Sequence, residues 1–599
     1  MAKHHFLIMT LTASAVVGFS ACSSDTQEEV TSHQTPTSQP LHSTLHDPVH
    51  TPLQTPTIQG SLSTTNIATD ESLADRVNQP LEKSAVLSES HGFTKRAIRI
   101  APEYKPEIYY RPESRERYAE LDNNSVVVTL NEPTSTFSID VDTGAYANVR
   151  RFLNAGSLPP ENAVRIEEMI NYFKYDYPKP ETLDTPFTIT TELAETPWNP
   201  NTHLLHVGLN GYGIDAVERP SANLVFLIDV SGSMSAAGKL GLVKPAMQML
   251  VNQLNENDTV SIVVYAGSSG IALEPTAGDQ KSMINRAIRS LQAGGSTNGQ
   301  AGIELAYALA EKNMKADTAN RVILVTDGDF NVGVSNTDQL KKLIENKRKS
   351  GIALTTLGFG QGNYNDHLME QLADIGNGAY AYIDTLNEAR KVLVDELSGT
   401  LLTIAKDVKI QLEFNPSVVS EYRLIGYENR ALANEDFAND KIDAGEIGAD
   451  HTVTALYEIA LVGSEGARNT PLRYQSVALD KRNLEEVAEL RIRYKKPDEH
   501  VSQLLARQIK TSDILTSSTE ASTNFNFSAA VAAFGQYLRG GKYLNDTTLD
   551  NILTFAATNS EEDVFGYRQE FMNLVRLAKS LSDLTVNSIG MPLPADNRG

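Results

Sequence analysis

The chain has 599 residues, too many for one hydrophobic core, and 41% of them are hydrophobic, ample for several globular domains. Its formal charge of −23 disfavours a general polyanion binder, because phosphate backbones reward clustered Lys and Arg; no nucleic-acid partner is expected. The single cysteine, Cys22, rules out an intrachain disulfide framework and a Cys-rich zinc site.

The first residues carry a basic tip at Lys3, a mostly apolar span from Phe6 to Phe19 and then Ser20-Ala-Cys22. This order reads as an export signal rather than a spanning helix. Cys22 stands where bacterial lipoprotein signals, which this segment resembles, place the lipidated residue. The resemblance implies a signal over 1–22, a lipid anchor in the membrane and a place in the bacterial cell envelope. By the same resemblance, Ser23 after Cys22, where an inner-membrane lipoprotein carries an aspartate, implies the outer membrane. From 23 to 106 the composition is rich in Ser, Thr, Gln, Pro and His, with Thr35-Pro36, Thr51-Pro52 and Thr55-Pro56 as punctuation. Such a stretch cannot bury enough surface to offset ordering entropy and is expected to be a flexible tether.

An α+β region is predicted over 107–220. Asn124–Leu130 and Thr136–Val141 read as strands, and a helix starts near Tyr146. Ile166, Met169, Ile170 and Phe173 form a helical stripe, and Phe187–Thr191 and His203–Val207 read as further strands. Asp140 and Asp142 share a strand face, but no acid–base partner is evident; a turn or strand-end role is expected.

The next stretch, Asn223-Leu-Val-Phe-Leu-Ile-Asp-Val-Ser-Gly-Ser233, is an apolar run ending in a carboxylate and two hydroxyls. The run fits a strand buried on both faces, with its polar residues just past the carboxyl end, where open α/β sheets bind ligands. By itself the Asp-x-Ser-x-Ser pattern is equally a helix cap or a turn. Two further segments add oxygens: the loop Gly294-Gly-Ser-Thr-Asn298, carrying Thr297, and a second buried strand from Arg321 that ends at Asp327. Between and after them, apolar strands alternate with helices (Asp258–Tyr265, Lys281–Leu291, Ala301–Leu309, Thr337–Lys347, Gly351–Leu357, Ala379–Ile383 and a closing helix over Leu386–Leu397). The expected fold over 221–404 is therefore α/β, a doubly wound, mainly parallel sheet with helices on both faces.

Together, Asp229, Ser231, Ser233, Thr297 and Asp327 resemble the metal-ion-dependent adhesion site of von Willebrand factor type A domains. The resemblance implies that Ser231, Ser233 and Thr297 hold a divalent ion directly or nearly so, with Asp229 and Asp327 around it, partly through water. Hard oxygen donors suit Mg²⁺, with Mn²⁺ or Ca²⁺ as alternatives. Such a site leaves one coordination position for an Asp or Glu from a protein ligand, which is binding rather than turnover. Asp329 and Asn331, just beyond Asp327, either border that face or are solvent-exposed loop residues.

From Val408 the period falls to two, in Val408–Phe414, His451–Val462 and Ala488–Tyr494, so a β-rich sandwich or sheet is expected over 405–499. A helical region is expected over 500–590, with apolar stripes in Phe527–Leu538, Leu549–Ala556 and Tyr567–Leu581 more in keeping with core than with docking. Ser138–Pro200 and the region 500–585 resemble the segments that flank the type A domain in a bacterial family of von Willebrand factor type A domain-containing proteins. No His-Glu-x-x-His helix, Gly-x-Ser-x-Gly elbow or phosphate-binding glycine loop is present, so a non-enzymatic role is expected. A metal-stabilised structural protein of the envelope and, less favoured, a metal-dependent hydrolase are the alternatives.

Overall fold

The computed structural model describes residues 115–214, 219–236, 238–315, 317–330, 337–470, 483–557 and 563–589. The predicted signal over 1–22, Cys22 itself, the tether over 23–106 and Asn331 lie outside the described residues. The described residues form one compact unit. None of its described helices is long and apolar enough to cross a membrane.

The chain enters through β1 (Val127–Val128), β2 (Thr134–Ser138), α1 (Gly144–Asn154) and α2 (Ile166–Asn171). A long hairpin follows, β3 (Phe187–Thr196) and β4 (Asn199–Gly211), turning at Pro197-Trp198. The central domain then runs β5 (Ala222–Asp229), α3 (Leu240–Gln253), β6 (Thr259–Tyr265), β7 (Ser269–Ala277), α4 (Lys281–Ser290), α5 (Gly299–Lys312) and β8 (Ala319–Thr326). It continues with α6 (Thr337–Lys349), β9 (Ile352–Phe359), α7 (Asp366–Ile375), β10 (Tyr380–Ile383), α8 (Leu386–Arg390), a π-helical turn over Lys391–Asp395 and α9 (Leu397–Leu401).

The six strands lie in the order β10-β9-β8-β5-β6-β7, parallel except for β7, which runs antiparallel to β6. β5 sits between β8 and β6 and every one of its residues is buried, which is why its centre, Leu224–Ile228, is an unbroken apolar run. Its side chains divide by parity. Leu224, Phe226 and Ile228 pack with Val243, Met247 and Leu250 of α3, whereas Val225 and Leu227 pack with Ile303, Ala306 and Tyr307 of α5. The expected doubly wound α/β fold is the observed one.

After the central domain come β11 (Thr403–Phe414), β12 (Val419–Ile425), β13 (Ile447–Gly448), β14 (Thr452–Leu461), β15 (Glu486–Lys495) and β16 (Gln503–Lys510), then α10 (Thr523–Leu538), α11 (Leu549–Ala557) and α12 (Tyr567–Ile589). These strands do not form a separate β-rich layer over 405–499. One sheet is β1-β12-β14-β4-β3, and the other is β13-β11-β15-β16 with β2 paired to β11. The sandwich is therefore built from chain on both sides of the central domain, and its core mixes Leu205, Val207 and Leu209 with Ile410, Leu412, Val453, Tyr457 and Ile492.

A second difference concerns the predicted helical region from 500. Its first part is β16, an edge strand on which only Ile509 is buried, so the alternation that betrays a strand is missing. The helices begin at Thr523. α10 is enclosed nearly all round rather than along one stripe, since α2, α11, α12 and the outer face of the β4–β14 sheet all close on it. Its Phe525, Phe527 and Phe534 are core residues.

α2 is buried along its whole length, charged residues included. Glu167 accepts a hydrogen bond from the Tyr427 backbone N–H (2.9 Å), but its Oε1 has no partner. Burial, reinforced by the Glu428 and Asp140 carboxylates, pushes its pKa from 4.5 up to about 8. An acid whose folded pKa is raised binds protons more tightly when folded, so folding loses stability as pH climbs from about 4.5 to about 8. Glu167→Gln, which stands in for the protonated form, is expected to be more stable than wild type at pH 9 by a few kcal/mol and to match it near pH 4.5. Urea midpoints for both proteins across that range check this; parallel curves would refute it.

Candidate metal centre

The carboxyl ends of the adjacent parallel strands β5 and β8 deliver Asp229 and, one residue beyond β8, Asp327, both fully buried. Asp229 is held from several sides. Its Oδ1 accepts the Ser231 N–H (2.8 Å), and its Oδ2 accepts the hydroxyls of Tyr265 (3.2 Å) and Thr326 (3.1 Å). Burial raises its pKa, with the nearby Asp327 charge acting in the same direction. Two carboxylates held close enough to repel form a locus that a cation relieves.

Between β5 and α3 the chain makes a short 3₁₀ turn over Gly232–Ser235, which brings the Ser231 and Ser233 hydroxyls within 2.9 Å of each other. The Thr297 loop is fastened to this turn by backbone bonds. The Gly232 N–H donates to the Gly295 carbonyl (3.0 Å) and the Gly294 N–H to the Val230 carbonyl (2.7 Å); beyond Thr297, the Asn298 N–H donates to the Ala266 carbonyl (2.8 Å). The structure thus gathers the loops bearing all five predicted residues at one end of the sheet. The donors offered are carboxylate and hydroxyl oxygens, a set that fits a hard divalent cation and not a soft one.

The backbone after Asp327 is constrained. Gly328 has φ +85°, and a Cβ there would sit 2.5 Å from the Asn365 nitrogen, so only glycine lets the loop reverse against the start of α7. The exposed Asp329 donates its N–H to Asp327 Oδ1 (3.2 Å). Sequence reasoning did not find Tyr265 and Thr326, which orient Asp229, nor Lys239, whose ammonium donates to Asp327 Oδ2 at 2.8 Å. Tyr265 and Thr326 each end a buried strand beside β5, and that placement was their only signal.

A second acidic group has a different character. One oxygen from each of Asp140, Asp142 and Glu168 lies within 4.8 Å of the others, all buried. Arg430 donates to Asp140 (3.1 Å) and Asp142 (3.0 Å), the Tyr380 N–H donates to Asp142 (2.7 Å), and Arg165 together with the Ala145 N–H engages Glu168. With cationic side chains already in place, these carboxylates work as an ion-pair network. Asp140 and Asp142 do stand at a strand end, as expected, but they bind the central domain to its surroundings through Arg430, which also reaches Asp374 (2.7 Å).

Three stretches of the chain match family models of known proteins. Residues 223–395 match the family model of the von Willebrand factor type A domain, 112–206 match a model described as von Willebrand factor, and 399–581 match the C-terminal domain of the YfbK protein. The chain is 46% identical to Escherichia coli YfbK over 477 residues, covering 78% of this chain and 82% of that protein. It is 25% identical to the human inter-alpha-trypsin inhibitor heavy chain H3 over 48% of this chain and 34% of that one. Among solved structures, a von Willebrand factor type A protein from Catenulispora acidiphila aligns over 66% of this chain and 91% of its own, at 13% identity and a TM-score of 0.38.

Proposed function

This chain belongs to the family of the type A domain protein YfbK, and from that premise we propose that it is a binding protein of the bacterial cell envelope. In this reading its type A domain, a protein-interaction module, captures a carboxylate of a protein ligand through a divalent cation. Asp229, Ser231, Ser233, Thr297 and Asp327 would hold that cation, Mg²⁺ by donor type. The cation would supply a positive charge able to accept the ligand's Asp or Glu, while the chain positions it. The observation that carries the reading is the delivery of Asp229 and Asp327 by neighbouring parallel strands to one end of the sheet, with the Ser231–Ser233 hydroxyl pair beside them. The hydroxyls bond each other, which suits ligation better than nucleophilic attack. Cys22 would carry the lipid that anchors the chain, most simply in the outer membrane.

The competing reading, a cation that serves only the fold, draws on how many bonds Asp229 makes to its own domain. Thr297 separates the two because it is half-exposed on a loop and deleting its hydroxyl leaves the core untouched. Full-length protein with Mg²⁺ is expected to retain an envelope partner that chelator releases. Thr297→Ala should lose that partner by tenfold or more with its melting temperature within a few degrees of wild type. Capture unaffected by both chelator and Thr297→Ala would overturn the metal-bridged reading.

A further inference from the structure

Lys239, the residue just before α3, is 93% buried by the measure of its 7% exposure, an unusual place for an ammonium. Its Nζ donates to Asp327 Oδ2 (2.8 Å) and to Asn363 Oδ1 (3.0 Å). Its stem runs against Gly360, which has φ +82° and where any Cβ would collide with the Lys239 Cγ and Cε. A lysine normally lays its stem along the protein and snorkels its ammonium to water, so burying this head requires the fold to give the stem a track and the ammonium two acceptors. Asp327 therefore shares its charge with a fixed internal cation before any metal is considered.

We infer that Lys239 sets the charge balance of the metal centre, lowering its affinity for the cation and raising the affinity of the loaded centre for a partner's carboxylate. This rests on the proposed metal site. Asp229 and Asp327 contribute two negative charges and Lys239 one positive, so a divalent ion leaves the centre with one positive charge in excess. An incoming carboxylate cancels it. Without Lys239 the ion would be neutralised by the protein alone, more tightly held and less attractive to a ligand. Lys239 acts through Asp327 and is a positioning and charge-setting residue, not a ligand.

The test uses Mn²⁺ as the cation and acetate as the carboxylate, with the full-length chain. Free Mn²⁺ is read from its electron paramagnetic resonance signal, with and without acetate. Lys239→Gln is expected to bind Mn²⁺ about tenfold more tightly, since a fixed charge a few ångströms away is removed. Acetate should tighten Mn²⁺ binding in wild type and do so at least about threefold less in the variant, because the coupling between two ligands is reciprocal. Lys239→Arg, which keeps the charge, should resemble wild type. Asn363→Asp keeps the lysine but neutralises it from the other side; it should shift both affinities in the same directions as Lys239→Gln and decides the matter if that variant does not fold. A merely structural role predicts weaker binding of both ligands in the variants, and that result, or unchanged affinities, would overturn the inference while leaving the metal site standing. Wild type that binds no Mn²⁺ would sink the metal site as well.

Discussion

Arg165→Met is expected to be among the most damaging substitutions in the chain, at a cost of about 3–5 kcal/mol. Arg165 is completely buried and pairs with Glu168 and Asp366, both also at zero exposure, while Glu370 stands 3.8 Å away. Removing the guanidinium leaves carboxylates with neither water nor a counter-charge, the situation in which a buried ion pair shows its full cost. The damage should reach the metal centre, because Asp366 starts α7 directly after Asn365, against which Gly328 packs. A surface control is Arg491→Met, which loses pairs to Glu413 and Glu489 that are about a third or more exposed and should cost under about 1 kcal/mol. Urea denaturation of both variants provides the comparison, and similar midpoint shifts in the two would contradict this account. Changing Glu168 and Asp366 to their amides in the Arg165→Met background should recover much of the loss, since the stranded charges then disappear.

This network explains what the sequence left unread. The central domain was legible because its signals are local: an apolar run such as Leu224–Ile228 announces a strand buried on both faces, and Asp229, Ser231 and Ser233 follow it within a few residues. Thr297 and Asp327 stood out because one lies in the loop before a helix and the other just past a strand of the same alternating series. The flanking regions carry their signals across distance. Nothing near Phe187–Gly211 says that this hairpin pairs with β14, about two hundred and fifty residues later. Arg430 and Asp140, whose pairing ties the chain after β12 to the chain after β2, are separated by 290 positions. β16 was missed for a different reason, since an exposed edge strand has no face to hide and so no alternation. Lys239 lay in plain view beside the Asp-x-Ser-x-Ser motif, but its burial depends on Gly360 and Asn363, which only the fold brings to it.

On the proposed reading, Asp229→Asn should abolish cation binding and, with it, cation-dependent capture of the ligand. Asparagine preserves the shape of the side chain and can still accept from the Ser231 N–H, so the turn is kept. It removes a charge that the cation needs and turns one carboxylate oxygen into a donor facing the Tyr265 and Thr326 hydroxyls. Wild type supplied with Mg²⁺ at a hundred times its dissociation constant should gain about 2.7 kcal/mol of stability through mass action, visible as a rise in melting temperature. Asp229→Asn should show no such rise at the same concentration and should release the partner in Mg²⁺ as completely as chelated wild type does. The two readouts also separate the readings: a stability gain in wild type with capture indifferent to metal would make the cation a fold component only. Retention of both in Asp229→Asn would remove Asp229 from the centre, and with it the pairing of β5 and β8 as the origin of the site.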